Sequence, residues 1–279
     1  EACLTSRKLT TFLTNISDKP LYLHISTLNL LYYSIVDIVD SAPLPESLLI
    51  YTNGFKTALY KACRENMEAV IPLLVMYTYP NIPHDSLVDF VEELMTAIAS
   101  SKSDRQFGPS IEKLHEFLTI GAANDNLPFI TDEEDNMLIK GLLDLYARPI
   151  YTFKNSQHIF DNEVEIKEQL PNYPLLANPT AFSNYSFLDS KDDKLIQICD
   201  VTVGLLGKFF KFLNNNSIEV FTAKIGAMTQ TQTNNLDMLL RMFEKSFSFN
   251  EALIHFVDTF DTQVKIAEIG KLRRINLGT

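Results

Sequence analysis

The sequence predicts an α/β fold in which helices far outnumber strands. Over most of the chain, apolar residues recur three or four positions apart, which is the pattern of amphipathic helices. Only a few short segments have the alternation and composition of strands. These strand-like segments are residues 21–25, 149–153, 157–160 and 185–188. The expected architecture is a sheet flanked by helices.

Composition restricts the class of protein. With 46% hydrophobic and 21% charged residues, the 279-residue chain has the make-up of an ordinary globular protein. It contains no apolar run of the ~18 residues that a membrane span needs, and no secretory signal. Its three cysteines form no C-x-x-C motif and no disulfide framework. We therefore expect a cytoplasmic protein in a reducing compartment.

The net charge of −11 argues against a broad basic surface for nucleic acid. It does not exclude a nuclease, because carboxylates that hold cations contribute to such a charge. A separate basic subunit could also supply the attraction to nucleic acid. We expect a protein partner or a homo-oligomer and no membrane, with any nucleic acid bound through a restricted site.

The first part of the chain is predicted to be helical apart from one strand. Ser26 or Thr27 can cap a helix after the strand, and Pro72 kinks or ends a later one. The predicted helices are residues 5–15, 27–39, 55–70, 86–100 and 111–120. The segment at about residues 53–123 is interpreted as a helical insertion that packs against the rest of the protein or binds another molecule.

Several charged residues in this region have a structural interpretation. Asp37 and Asp40 are neighbours on one helix, which suits a metal pair, but a polar edge at the helix end explains them better. His24 is interpreted as structural because no second histidine follows at ligand spacing. The acidic run that starts at Asp132 follows Thr131 in a capping box, and the positive helix N-terminus explains it.

The last part of the chain is predicted to be helical again. Beyond the long helix described next, helices are expected at residues 137–146, 235–247 and 250–269. Asp258 and Asp261 are expected to lie on the solvent-exposed face of the helix at residues 250–269. The chain is therefore divided into a domain of residues 1–213 and a C-terminal helical extension of residues 214–279.

The stretch from Tyr185 to Lys211 is the part most suited to chemistry. A turn leads into an apolar helix that runs to about Leu213. One face of this helix is expected to be polar and the other buried. The polar face carries Gln197, Asp200, Gly204, Lys208 and Lys211, and the apolar face carries Ile196, Cys199, Val203, Phe209 and Phe210.

Two features of this helix favour a functional site. A carboxylate at Asp200 in so apolar a helix is costly unless it is used, although capping a neighbouring loop explains it equally well. The pair Gly204 and Gly207 indicates close approach of another backbone or of a ligand, because glycine weakens a helix.

A second acidic segment precedes this stretch. The strand-like residues 157–160 lead into Asp161, and Glu163 follows as a less certain fourth acid. Acids at strand ends and on a facing helix can converge at one edge of a sheet. There they can hold the paired cations that hydrolyse a phosphodiester. The alternative is that Asn162 and Glu165 cap a short helix.

The Asp-Ser-Lys turn at residues 189–191, followed by Gln-Ile-Cys-Asp at 197–200, resembles the C-terminal signature of the domain of unknown function 3800 family. The resemblance is good over about residues 151–213 and weaker upstream. It implies a helix-rich, ribonuclease-H-like fold and a metal-dependent nuclease, in a prokaryotic setting such as antiviral defence. The catalytic residues that it implies are Asp161, Asp189, Lys191 and Asp200, with the three aspartates as ligands of Mg²⁺ or Mn²⁺.

One element of that family is missing from the sequence. The family opens with an Asp-Glu-Ser-Gly strand, and a ribonuclease-H-like sheet has about five strands. The missing acid is expected either upstream of Glu1 or lost. In the first case the chain is a hydrolase of phosphodiester bonds. In the second it is a non-catalytic ribonuclease-H-like scaffold that binds a protein partner through its helices.

Overall fold

The computed structural model describes residues 2–103, 108–173, 182–275 and 277. These residues are mostly helical and include four strands of four residues each, so the predicted α/β class with few strands is confirmed. The helices are α1 Arg7–Ser17, α2 Leu30–Ser41, α3 Thr52–Glu65, α4 Met67–Met76, α5 Leu87–Ala97, α6 Gly108–Ala123, α7 Leu143–Thr152, α8 Val164–Gln169, α9 Lys194–Asn215, α10 Ile218–Gly226, α11 Gln230–Phe249 and α12 Phe260–Arg273. The strands are β1 Ile25–Leu28, β2 His158–Asp161, β3 Tyr185–Leu188 and β4 Ile254–Val257.

The chain forms two compact units, each built from separate stretches of sequence. The first unit consists of Glu1–Ser26, Gly141–His255 and Lys265–Thr279, and the second of Thr27–Lys140 and Phe256–Val264. The predicted helical insertion at about residues 53–123 lies within the second unit. Most of the predicted C-terminal extension from residue 214 lies within the first.

The second unit is helical and has a large apolar core. Helix α5 illustrates how the sequence builds it, because Phe90 and Leu94 are fully buried while Asp89 and Glu92 are exposed, as their spacing predicts. The buried Tyr79 donates a hydrogen bond from its hydroxyl to the carbonyl of Ser34 at 2.8 Å, so its polar end is satisfied.

Caps in the second unit differ from the predicted ones. Asn29, rather than Ser26 or Thr27, caps α2 by accepting a hydrogen bond from the Tyr32 amide, because β1 continues as far as Leu28. Asp258 is buried and not on a solvated face. It precedes α12 and accepts hydrogen bonds from the Asn29 side chain at 2.9 Å and the Thr259 amide at 2.7 Å.

In the first unit, β2 and β3 form a parallel pair in which His158 aligns with Tyr185 and Asp161 with Leu188. β3 has the predicted bounds, and β2 begins and ends one residue later than predicted. Their aromatic side chains form one apolar face, with the rings of Phe160 and Phe187 5.7 Å apart. Helices α7 and α8 contribute to the same small core, whose fully buried members are Ala147, Ile150 and Leu170.

The first unit also joins the two ends of the chain. Asn235 in α11 donates a side-chain hydrogen bond to the Leu4 carbonyl at 2.8 Å. Near the other end of α11, the Ser246 hydroxyl accepts a hydrogen bond from the Leu23 amide at 2.7 Å. The N-terminal helix α1 and the late helix α11 are therefore parts of one structure.

The strand predicted at residues 149–153 is wrong, because these residues end helix α7 and leave it. A short apolar run fits a buried strand or a buried helix equally well. Ala147 and Ile150 are both fully buried and lie three positions apart. Helical spacing therefore decides the structure of this segment.

The helix predicted at residues 137–146 is also displaced, since α7 begins only at Leu143. Asp132 and Asn136 both have a φ of 57°. This left-handed conformation is one that Asp and Asn adopt more readily than most residues, and it is incompatible with a right-handed helix. The acidic run therefore lies in a turn, and the predicted capping box does not start a helix.

The first and last strands differ from the prediction for a common reason. The strand predicted at residues 21–25 lies at Ile25–Leu28, and the helix predicted at 250–269 is divided into β4 and α12. β1 and β4 pair with each other to form a second two-stranded sheet. Pairing between distant segments overrides the local helical pattern, which is common for short β-branched and aromatic runs.

The predicted close approach of another backbone to the glycines of α9 is wrong within the described part of the chain, and the alternative of a ligand stays a prediction. A Cβ atom added to Gly204 or Gly207 would meet no atom within 4 Å. Val203 is 64% exposed, and Cys199 is exposed as well. The buried side of α9 is made by Ile196, Thr202, Leu205, Leu206, Phe210 and Leu213. The helix has more apolar residues than one face needs, so tertiary packing selects which of them are buried.

Among the described residues, no helix combines the length and the apolar character that a membrane crossing requires.

Candidate functional site

The C-terminal ends of β2 and β3 bring two of the predicted acids to one edge of the parallel pair. Asp161 is the last residue of β2 and aligns with Leu188, and Asp189 follows Leu188 directly. Adjacent strands lie about 4.8 Å apart. The backbones that carry Asp161 and Asp189 are therefore neighbours at this edge of the pair.

Hydrogen bonds connect the two strand ends. The Oδ1 atom of Asp161 accepts from the Asn162 amide at 2.9 Å and from the Ser190 amide at 3.1 Å. The Oδ1 atom of Asp189 accepts from the Lys191 amide at 2.9 Å. Within the described part of the chain, the Oδ2 atoms of both carboxylates have no hydrogen-bond partner. Each carboxylate is thus held by one oxygen and presents the other.

The helix that follows is fixed to this turn by two side chains. Asp193 caps α9 by accepting hydrogen bonds from the amides of Leu195 and Ile196. Gln197, one turn into the helix, donates from its side chain to the Ser190 carbonyl at 2.8 Å. The Asp-Ser-Lys turn and the Gln-x-x-Asp helix are therefore parts of one local structure.

Asp200 lies three positions after Gln197, on the same side of α9. It is exposed, and so is Lys191. The sequence predicts a desolvation cost for the Asp200 carboxylate, and this prediction is wrong because the side chain is exposed. Its exposure leaves both oxygens accessible to water, cations or a substrate. The structure keeps Asp200 on the helix face whose Gln197 contacts the turn, and it shows no capping of a neighbouring loop by Asp200 within the described residues.

Glu163 and its neighbours do not form the predicted capping arrangement. Glu163, not Asn162, is the N-cap residue of α8, and its side chain makes no capping hydrogen bond. The Glu163 amide donates to the Asp161 carbonyl at 2.8 Å, and Lys167 donates to the side-chain oxygen of Asn162 at 3.3 Å. Helix capping therefore does not account for the acids of this segment.

The charges of the acids raise the pKa values of two neighbouring side chains, Tyr146 and Cys199. Burial, and then the charges of Glu163 and Asp161, raise the pKa of Tyr146. Partial desolvation raises the pKa of the Cys199 thiol although the residue keeps exposed surface, and the charges of Asp200 and Asp193 raise it further. The acids at the strand ends and in the first turns of α9 therefore disfavour negative charge on Tyr146 and Cys199.

Among the described residues, no group of three or more His, Cys, Asp and Glu side chains is arranged to hold a metal ion. The pair Asp37 and Asp40 does not behave as a metal site either, since Asp40 forms an ion pair with Lys56 at 2.7 Å. Burial, and then the charge of Asp40, raise the pKa of Asp37.

A basic cluster in the first unit has no counterpart in the sequence-based predictions. It consists of His24 before β1, Arg148 in α7, His158 in β2 and His255 in β4. The ring of His24 meets the ring of Phe153 edge-on at 5.4 Å, and His158 donates from Nε2 to the Phe153 carbonyl at 3.2 Å. Four separate segments meet here, so no local spacing in the sequence could indicate the cluster.

The positive charges of the cluster act on one another. Desolvation by the atoms packed around the ring, followed by the charges of Arg148, His158 and His255, lowers the pKa of His24 to about 4, although the residue keeps exposed surface. Burial, followed by the charge of Arg148, lowers the pKa of His255. His24 and His255 are therefore neutral at pH 7 while Arg148 keeps its charge.

We expect the free energy of unfolding to fall as the pH is lowered from about 6.5 to about 4. Unfolded His24 takes up a proton near pH 6.5, but folded His24 does so only near pH 4, so protonation in this window favours the unfolded state. His24 also has exposed surface, and solvent screening reduces the expected loss to roughly 1 kcal/mol. Urea titrations across this pH range measure it. A His24→Gln variant should show a flatter profile, and an unchanged pH dependence would contradict this account.

Comparison with protein-family models, curated proteins and solved structures finds no match. Function is therefore inferred from the local geometry of the chain itself.

Proposed function

We propose that the chain is a metal-dependent nuclease of ribonuclease-H-like type, which hydrolyses phosphodiester bonds through clustered carboxylates. The observation that carries this proposal is the hydrogen bond from the Ser190 amide to Asp161. It joins the ends of two parallel strands, each of which supplies an acid. Gln197 then ties the following helix, with Asp200, to the same turn.

The donor set suits Mg²⁺ or Mn²⁺. In phosphate-processing sites, Mg²⁺ is bound by one or two carboxylates together with waters and substrate oxygens, so a large protein cage is not needed. Asp161 and Asp189 each present a free oxygen at one edge, and carboxylate oxygen is the ligand type these cations prefer. Because no three of the described acids form a ready-made metal group, Asp161 and Asp189 would hold the metal together with waters and substrate oxygens, with Asp200 as the proposed third ligand. The bound metal would activate water and neutralise charge on the phosphate.

The residues of the chain have distinct roles in this proposal. Asp161 and Asp189 provide ligand oxygens and are oriented by backbone amides, which keeps their side chains in place. Asp200 adds a charge from the accessible face of α9. Lys191 is exposed beside them and offsets their repulsion or contacts a substrate phosphate.

A second candidate function is that of a non-catalytic scaffold that binds a protein partner through its helices. The observation that favours it is a set of exposed apolar residues on α9. They are Leu195, Val201 and Val203, each at least half exposed. Scattered exposed apolar residues are common on protein surfaces, so this candidate is second.

Metal binding tests the proposal directly. We expect Mn²⁺ to stabilise the wild type by about 2.7 kcal/mol when the ion is at a hundred times its dissociation constant. Asp189→Asn and Asp161→Asn each remove a charged ligand, so a tenfold loss of affinity would lower that stabilisation by about 1.4 kcal/mol. Thermal melts in EDTA and in Mn²⁺ measure the difference. Mn²⁺-dependent cleavage of a labelled oligonucleotide should be lost in the same variants.

Asp192→Asn is the matched control, because it removes one carboxylate from the same exposed turn without touching the proposed ligands. It should retain both the Mn²⁺ effect and cleavage. A wild-type protein that neither binds Mn²⁺ nor cleaves would remove the nuclease proposal and favour the scaffold.

A further inference from the structure

The basic cluster contains two buried nitrogen atoms that lack a hydrogen-bond partner. Among the described residues, Nη1 of Arg148 and Nδ1 of His255 are each excluded from solvent and unpaired. Leaving a buried polar atom unsatisfied costs about 1–3 kcal/mol, and the cost is greater for a charged group. Buried polar atoms in folded proteins almost always have a partner, so these two indicate a missing ligand or water.

The charges around these atoms favour an anion as that partner. All three charged groups that shift the pKa of His24 are basic, namely Arg148, His158 and His255. A metal cation is disfavoured, because the guanidinium of Arg148 is permanently positive and would repel it. The cluster therefore places the permanent charge of Arg148 among imidazole groups that can donate hydrogen bonds, in a chain whose net charge is −11.

The members of the cluster come from separate segments, and donors that converge from several directions suit an anion with more than two oxygens. Arg148 projects from a helix, His158 and His255 from strands of different sheets, and His24 from the segment before β1. A planar carboxylate presents two oxygens, whereas a phosphoryl group presents at least three in a tetrahedral arrangement. Guanidinium is well suited to such an oxyanion because its parallel N–H groups bind two oxygens at once.

We propose that Arg148, His24, His158 and His255 form a binding site for a phosphoryl oxyanion. Arg148 supplies the permanent charge and donates from its buried nitrogen. His255 donates from Nδ1 when it is protonated there, and His24 lies at the exposed side of the cluster, where a ligand can enter.

This site is separate from the proposed nuclease site and does not depend on it. His158 and Asp161 are at opposite ends of the four-residue strand β2, about 10 Å apart at a rise of 3.3 Å per residue. The oxyanion site needs no metal. It can therefore be tested under conditions in which the carboxylate site is empty of cations.

Inorganic phosphate in the presence of EDTA is the first probe. We expect isothermal titration to show binding to the wild type and phosphate to raise its melting temperature. Arg148→Gln should weaken binding at least tenfold, and Arg148→Lys should restore it only in part, because lysine lacks the paired donors. Arg241→Gln, which removes an exposed arginine from α11, is the matched control and should bind as the wild type does.

Two further arms make the outcome decisive. If Arg148→Gln fails to fold, His24→Gln changes an exposed member of the cluster and should weaken phosphate binding several-fold. A short single-stranded oligonucleotide that competes with phosphate would identify a phosphodiester as the ligand, whereas phosphate binding without competition would assign a free phosphate. Absence of phosphate binding in the wild type, or equal binding in wild type and folded Arg148 variants, would overturn the proposal and leave water as the partner.

Discussion

Phe90→Ala is expected to destabilise the second unit by about 3–5 kcal/mol. Phe90 is fully buried in α5, and its ring lies 5.5 Å from the ring of Tyr77 and 6.2 Å from that of Tyr79. Truncation removes these contacts and leaves a cavity that rigid neighbouring helices fill only in part. This is a large fraction of the 5–15 kcal/mol that typically stabilises a domain.

The measurement is urea unfolding followed by circular dichroism, since the chain contains no tryptophan to report by fluorescence. Hydrogen exchange read by mass spectrometry should locate the loss of protection within residues 27–140. Val88→Ala is the control, because Val88 lies on the same helix but is 47% exposed, and it should change stability by less than about 0.5 kcal/mol. Equal effects of the two substitutions would contradict the assigned inward face of α5.

Gly270→Ala and Gly207→Ala are expected to have opposite effects, although both place one methyl group on a helix. A Cβ at Gly270 would be 2.7 Å from the carbonyl oxygen of Ile275, and that backbone is held by a hydrogen bond from the Ile275 amide to the Gly270 carbonyl. Overpacking of this kind costs about 1–3 kcal/mol. At Gly207 nothing is within 4 Å, so alanine should stabilise α9 by about 0.5–1 kcal/mol.

The pair of variants separates steric from conformational effects within the first unit. Melting temperatures of both variants, measured under one set of conditions, should lie on opposite sides of the wild-type value. A decrease for Gly207→Ala would mean that the exposed face of α9 is covered in solution. An unchanged value for Gly270→Ala would mean that the backbone around Ile275 yields without cost.

Local signals in the sequence predicted the carboxylate region well. The strand segments that lead to Asp161 and Asp189, and the helix that follows the turn, are encoded within short segments, whereas the parallel pairing of the strands comes from the structure. Turn residues and caps such as Asp193 act over two or three positions, so a sequence pattern can reveal them. The role of these acids as metal ligands stays a prediction, since their chemistry depends on what they bind.

Features set by distant contacts could not be predicted in the same way. The segment near Ile254 has a helical pattern but forms a strand, because it pairs with β1. The residues around position 254 contain no signal for this distant partner. The choice of the buried face of α9 likewise depends on which of its many apolar residues meet neighbours. His24 and His255 belong to one cluster although they lie at opposite ends of the chain.

The contacts between the N-terminal segment and α11 have a consequence during synthesis of the protein on the ribosome. Leu13 and Ile16 of α1 are buried in the finished first unit, and the polar contacts of Leu4 and Leu23 are completed only by α11. At a synthesis rate of about 5–20 residues per second, α11 is completed on the order of 10–45 s after α1. During that interval the apolar side of α1 is open to chaperones and to neighbouring nascent chains, so slower translation should increase aggregation of this protein.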